Sequence, residues 1–169
     1  MRFREEASTS AKLGFRVDGV RLADEVDGTV PTAQGLKQAA DEAAVVDVLR
    51  AYCQGRSRLL RSFARQCRQL RDAFEADDVA AHHAFIRSSL LFVYSDVTND
   101  TSVHMIDFAR CYRTEKNLSH RAAWQPGNHE DGYLTGLDNL VRILEDLAGE
   151  GEGRESDNSP WRSVLKRPF

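Results

Sequence analysis

Two apolar runs constrain this chain more than anything else in it. The first is Ser88-Ser89-Leu90-Leu91-Phe92-Val93-Tyr94 and the second is Val103-His104-Met105-Ile106-Asp107-Phe108. Between them, Asp96 to Ser102 is rich in Asp, Asn and Thr, which predicts two strands joined as a hairpin. The second run ends on a carboxylate, Asp107. An acid at the end of a buried strand is costly to bury unless a cation or donor pairs with it. Two such strands would form a ledge on which Mg²⁺ could sit on Asp107. The local pattern by itself favours an Asp107 that simply ends the strand or caps the next turn.

The 169 residues suit one domain with a real core, or part of a larger one. A net charge of −3 gives no global drive toward nucleic acid or an anionic membrane, so any anion site must be local. No run is long enough to insert in a bilayer, and Met1 to Glu6 lacks the apolar centre of a signal peptide. Cys53, Cys67 and Cys111 are odd in number and widely spaced, which fits reduced thiols in a cytoplasmic or nuclear setting.

Taken in order, Lys12 to Val20 reads as a strand loosened by Gly14 and Gly19, with Phe15 and Val17 on one face and Arg16 and Asp18 on the other. Arg16 by itself is an ordinary surface charge. Ala23 to Gly35 is a loop. From Lys37 to Tyr52 the period turns helical, with Val45, Val48, Leu49 and Tyr52 on one face. A second helix over about Ser57 to Glu75 carries the stripe Leu59, Leu60, Phe63, Cys67, Leu70, Phe74. Arg56, Arg58, Arg61, Arg65, Arg68 and Arg71 fill much of its remainder. Such a helix could meet phosphates, a lipid surface or RNA, but the neighbouring acids Asp72, Glu75, Asp77 and Asp78 favour a solvated face.

Ala76 to His83 is a polar connection, and the adjacent His82 and His83 point to opposite faces of an extended segment, which argues against a zinc site. Beyond Arg110 the chain is irregular to Gly127. A final helix then runs to about Ala148 with Leu137, Leu140, Val141, Leu144 and Leu147 inward, Glu130 and Asp131 standing where negative charge suits its N-terminus. The domain therefore covers residues 1–148, and 149–169 read as a flexible tail. No phosphate-cradling Gly-rich loop, nucleophile elbow, Cys-x-x-Cys pair or catalytic triad is found in the sequence.

Several strings together carry a resemblance. Ser88-Ser89-Leu90-Leu91-Phe92-Val93, Met105-Ile106-Asp107-Phe108, Leu118-Ser119-His120-Arg121 and Gly127-Asn128-His129-Glu130-Asp131-Gly132-Tyr133-Leu134 resemble, in that order, the inositol polyphosphate kinase family. Leu13 to Val20 and the Leu-Ser-His-Arg string are most similar to its inositol-1,4,5-trisphosphate 3-kinase branch. The resemblance implies an α+β fold, an antiparallel sheet with segregated helices, forming the larger, C-terminal lobe of a kinase-like architecture. It implies ATP and Mg²⁺ as cofactors, with Asp107 as metal ligand, Ser89 beside the metal–nucleotide site, and Arg16 and Lys37 on the inositol phosphate. Those residue types suit phosphoryl transfer, which is mainly positioning and charge neutralisation.

The departures are as informative. The family's Pro-x-x-x-Asp-x-Lys-x-Gly signature, which supplies its catalytic aspartate, does not occur here, nor does the lobe bearing the ATP-binding lysine. Ala109 and Arg110 replace the usual Gly-Lys, and His129 stands where Arg is usual. The expectation is a C-terminal part of such a kinase that is inactive alone, with apolar surface exposed where a second lobe belongs and hence a tendency to self-associate. The competing expectation is a non-catalytic remnant that binds inositol phosphates or a protein partner.

Overall fold

The computed structural model describes residues 9–21 and 41–155, the last five as backbone only. Helix α1 (Ser10–Leu13) opens the described chain, followed by α2 (Glu42–Tyr52), α3 (Ser57–Glu75) and α4 (Asp78–Ala81). Four strands come next: β1 (His83–Phe85), β2 (Ser89–Tyr94), β3 (Thr101–Ile106) and, after a 3₁₀ turn at Phe108–Arg110, β4 (Cys111–Arg113). Helix α5 (Tyr133–Glu155) closes the fold. Among the described residues no helix is long and apolar enough to cross a membrane.

The core is the packing of α3 on α5. Phe63, Cys67 and Leu60 of α3 and Leu137, Leu140, Leu144 and Leu147 of α5 are all buried, so both apolar stripes read in the sequence face each other. Phe63 is 0% exposed and stacks on Tyr52 of α2 and, edge-on, on Phe92 of β2. Helix α2 starts where Asp41, in an extended conformation, accepts the amide of Ala44 at 2.9 Å. Helix α3 is closed by Ala76 at its C-cap, and the chain turns helical again over the four residues of α4 because Asp77 caps the amides of Val79 and Ala80.

The fold class is α+β, as expected, but the strands form two separate antiparallel pairs rather than one sheet. β2 pairs with β3 in the register Ser89↔Ile106 to Tyr94↔Thr101, and β1 pairs with β4 in the register His83↔Arg113 to Phe85↔Cys111. Leu90, Phe92, Tyr94, Val103 and Met105 pack on the helices, while Leu91 and Val93 face outward at 46% and 44% exposure.

Several local expectations are corrected. Residues 12–20 are not a strand: Ser10–Leu13 is a helical turn closed by Gly14 at φ +76°, and residues 15–21 are irregular. Among the described residues the neighbour of this segment is a helix, α5, and no strand pairs with it. The expected alternation survives nonetheless, with Phe15 and Val17 packed on the core and Arg16 and Asp18 exposed. The connection 76–83 contains α4 and the start of β1, and the stretch after Arg110 contains β4, each too short to show a period. Helix α5 continues past Ala148 to Glu155.

Candidate functional site

The β2–β3 pairing fixes the place of Asp107. Ser89 stands opposite Ile106, so Asp107 leaves the strand immediately beyond the Ser89 pair. It takes φ 67°, ψ 56°, a left-handed conformation that Asp tolerates better than most residues and that turns the chain sharply into the 3₁₀ segment. Its carboxylate makes no capping hydrogen bond to that segment. Asp107 is exposed, which corrects one premise: there is no burial cost for a cation to offset. The alternative reading of Asp107 as a side-chain cap also fails, because the cap bond is not made.

A second corner lies alongside. Arg87, just before Ser88 and Ser89, is also left-handed at φ 62°, and the amide of Ile86 donates to the carbonyl of Arg110 at 3.1 Å. The chain entering β2 and the chain leaving β3 are thereby tied together around Asp107. Ser88 Oγ is enclosed without a hydrogen-bond partner, and Ser89 is half-buried. A carboxylate that makes no cap bond, one residue beyond the Ser89↔Ile106 pair, is a hard-oxygen ligand suited to Mg²⁺, which is commonly held by one or two carboxylates plus substrate phosphates. Among the described residues no group of three or more His, Cys, Asp or Glu could hold a metal without such phosphates.

Of the other expected site residues, Arg16 is carried on the segment that follows α1. Arg16 is exposed and its Nε donates to Asp18 Oδ1 at 2.8 Å. Its segment docks on the start of α5, where Asn139 Nδ2 donates to the carbonyl of Leu13 at 3.1 Å and Thr9 Oγ1 donates to that of Phe15 at 2.8 Å. Lys37 lies outside the described residues.

One constellation was not read from the sequence. His120, 3% exposed, donates from Nδ1 to both oxygens of Asp131 at 2.9 and 3.0 Å and from Nε2 to the carbonyl of Ala80 at 3.0 Å. Both acceptors are satisfied only by an imidazolium. Burial alone lowers the pKa of this imidazole. The hydrogen bond and charge of Asp131, the Ala80 carbonyl and Glu130 outweigh that, and the net displacement is upward. Asp131 also accepts the amides of Phe85 and Tyr133 at 2.8 and 3.0 Å, joining β1 to the start of α5. Glu130 is buried and accepts the Ser119 amide at 2.9 Å. Arg121 bridges Asp138 of α5 and Glu75 of α3, both at 2.8 Å. The acids read as complements to the α5 dipole are thus partners of a buried cation and a backbone amide. The Leu-Ser-His-Arg string is a structural clamp under the strands. Only the 11-residue separation of two polar strings in sequence hinted at it.

The cysteines are all free. Burial pushes the Cys53 and Cys67 thiols up to about 12, which makes them inert.

With this geometry in place, comparison with known proteins is decisive. Residues 1–145 match the family "Inositol polyphosphate kinase". The chain belongs to that family. Inositol-trisphosphate 3-kinase A of Mus musculus is 39% identical over 150 residues, covering 88% of this chain and 31% of that protein. Inositol-trisphosphate 3-kinase C of Homo sapiens is 39% identical over 150 residues, 88% of this chain and 21% of that protein. An inositol-trisphosphate 3-kinase homolog of Caenorhabditis elegans is 35% identical over 173 residues, 99% of this chain and 33% of that protein. The chain spans a third or less of the length of these relatives. Within the inositol polyphosphate kinase family, Asp107 and Ser89 fall inside the matched region, as do His120, Asp131 and Arg121.

Proposed function

We propose that residues 1–148 are the C-terminal part of an ATP-dependent inositol phosphate kinase of the trisphosphate 3-kinase type. In this reading the carboxylate of Asp107 holds Mg²⁺ beside the ATP phosphates, with Ser89 at the same nucleotide site. Mg²⁺, when bound, would neutralise charge on the transferring phosphoryl group. Arg16 and Lys37 take the phosphates of the inositol acceptor, for which a guanidinium offers paired donors. Family membership at 35–39% identity supports the reaction class. The observation that carries the site assignment is Asp107, an exposed carboxylate with no cap bond, fixed by a sharp turn beside Ser89.

The Asp-x-Lys-x-Gly motif is not in this sequence, so the 169 residues alone do not transfer phosphoryl groups to inositol trisphosphate. The outward face of the β2–β3 pair, with Leu91 and Val93 44–46% exposed, is where self-association would cover apolar surface. The free thiols are in keeping with a cytoplasmic or nuclear setting.

The test is nucleotide binding measured by calorimetry with and without Mg²⁺, run beside a γ-phosphoryl transfer assay on inositol 1,4,5-trisphosphate. Mg²⁺-dependent ATP binding that is lost in Asp107→Ala, without turnover, is the expected result. Inositol phosphate binding that depends on Arg16 with no nucleotide contribution would instead establish a non-catalytic remnant.

A further inference from the structure

Six arginines stand on α3 or at its N-cap. Arg56, Arg68 and Arg71 are engaged with acids: Arg56 with Asp96 and over the Tyr94 ring, Arg68 with Glu145, and Arg71 with Asp72 and Asp138. These tie α3 to the hairpin and to α5. Arg58, Arg61 and Arg65 stand at i, i+3 and i+7, hence on one face of the helix, and all three are exposed. They line a cleft of about 700 Å³ between α3 and the tip of the β2–β3 hairpin, whose other walls include Gln69, Asn99 and Thr101.

The floor of this cleft is fixed. Gln66 Nε2 donates to Thr101 Oγ1 at 2.8 Å while its Oε1 accepts the Val103 amide at 3.1 Å. The hydroxyls of Ser62 and Thr101 meet at 2.6 Å, and Arg65 NH2 donates to Ser62 Oγ at 3.1 Å. Three guanidinium groups therefore rim a prearranged polar floor, against the single carboxylate of Asp100. The cleft sits at the opposite end of β3 from Asp107, six residues and roughly 20 Å of strand away.

We propose that this cleft is a second anion site, separate from the Asp107 end, which takes a cluster of phosphomonoesters such as a phosphorylated inositol ring. Forked guanidinium donors at helical spacing match neighbouring phosphates on a ring, and a concave site with a hydrogen-bonded floor positions them better than a flat basic surface would. The same chemistry is offered by a free inositol polyphosphate and by a phosphoinositide headgroup in a membrane.

Two arms test the site and its source. Inositol hexakisphosphate is titrated into the 169-residue chain by calorimetry, and vesicles of phosphatidylcholine with and without phosphatidylinositol 4,5-bisphosphate are used in co-sedimentation. The variants are Arg58→Gln/Arg65→Gln and Arg58→Glu/Arg65→Glu, with Arg113→Glu, an exposed arginine on β4, as the charge control. Unchanged thermal unfolding shows that each variant is folded. Each arginine lost should weaken binding about tenfold, in keeping with a charge-assisted contact. Arg113→Glu and Asp107→Ala should leave it within about twofold, on the same conversion. Binding in the first arm alone identifies a soluble ligand, and binding to phosphoinositide vesicles alone identifies a headgroup. Either result supports the cleft. Absence of binding in both arms, or equal binding by the glutamate double variant and wild type, overturns it. Asp107→Ala separates the two sites, since a failure of the nucleotide reading leaves this binding intact.

Discussion

Gly14 and Gly136 cross backbone to backbone. A Cβ at residue 14 would stand 2.6 Å from the amide nitrogen of Gly136, and a Cβ at residue 136 would stand 2.9 Å from the carbonyl oxygen of Gly14. Both obstructions are main chain, so neither can swing aside, and Gly14 also has φ +76°. This crossing seats the segment that carries Arg16 on the first turns of α5.

Gly136→Ala is therefore expected to destabilise the fold despite the better helix propensity of alanine. The steric conflict should exceed the ~1 kcal/mol that alanine gains inside a helix and undock residues 9–21. Amide hydrogen exchange reads this directly, as faster exchange at Leu13 and Gly14, whose amides donate to the carbonyls of Thr9 and Ser10. Equal protection in wild type and variant would show that the crossing does not hold the segment.

The His120–Asp131 pair predicts a pH dependence of stability. The folded-state pKa of His120 is raised above its unfolded value, so the folded state binds the proton more tightly. The stabilisation is fully present below the unfolded pKa of roughly 6.5 and is lost as pH rises through the folded value. Thermal unfolding followed from mildly acid to alkaline pH should show this decline, and His120→Gln should remove it. Since the pair is buried, His120→Ala leaves Asp131 uncompensated and should cost about 3–5 kcal/mol. A pH profile that is the same in His120→Gln and wild type would mean that His120 is not the titrating group.

Phe63 is 0% exposed at the junction of α2, α3, α5 and β2, stacked on Tyr52 and edge-on to Phe92. Phe63→Ala should cost about 3–5 kcal/mol in denaturant unfolding, while Phe63→Leu, which refills most of the space, should cost less than half of that. Equal losses for the two would indicate that ring contacts rather than volume hold this junction.

How much of this was legible in the sequence depended on the range of the interactions involved. The helical stripes Leu59 to Phe74 and Leu137 to Leu147 were readable, because a 3.6-residue period is imposed by the burial of one face. The hairpin was readable because a polar loop separates two apolar runs. The β1–β4 pair was not, since three-residue strands 26 residues apart carry no period of their own. The segment after Leu13 alternates in burial as a strand would, yet its partner is the backbone of α5 at Gly136. Nothing local to Gly14 announces that. At the site, the resemblance pointed to Asp107 and Ser89, and the strand register pairs Ser89 with Ile106, the residue before Asp107. Which arginines of α3 line the cleft depended on where the tip of the β2–β3 hairpin comes to rest against the helix, a purely tertiary fact.

Asp107 itself allows its backbone and carboxylate roles to be separated. Asn accepts the left-handed conformation at least as well as Asp, whereas Ala there costs about 1 kcal/mol. Asp107→Asn should then unfold as wild type does but lose Mg²⁺-dependent nucleotide binding, because an amide oxygen is a neutral ligand. Asp107→Ala should lose both some stability and the binding, and Asp107→Gly should regain the stability without the binding. Melting temperature and Mg²⁺-dependent nucleotide affinity, measured on the same three proteins, distinguish these outcomes. Retention of Mg²⁺-dependent affinity in Asp107→Asn would move the metal to another ligand, and the assignment of Asp107 would fall.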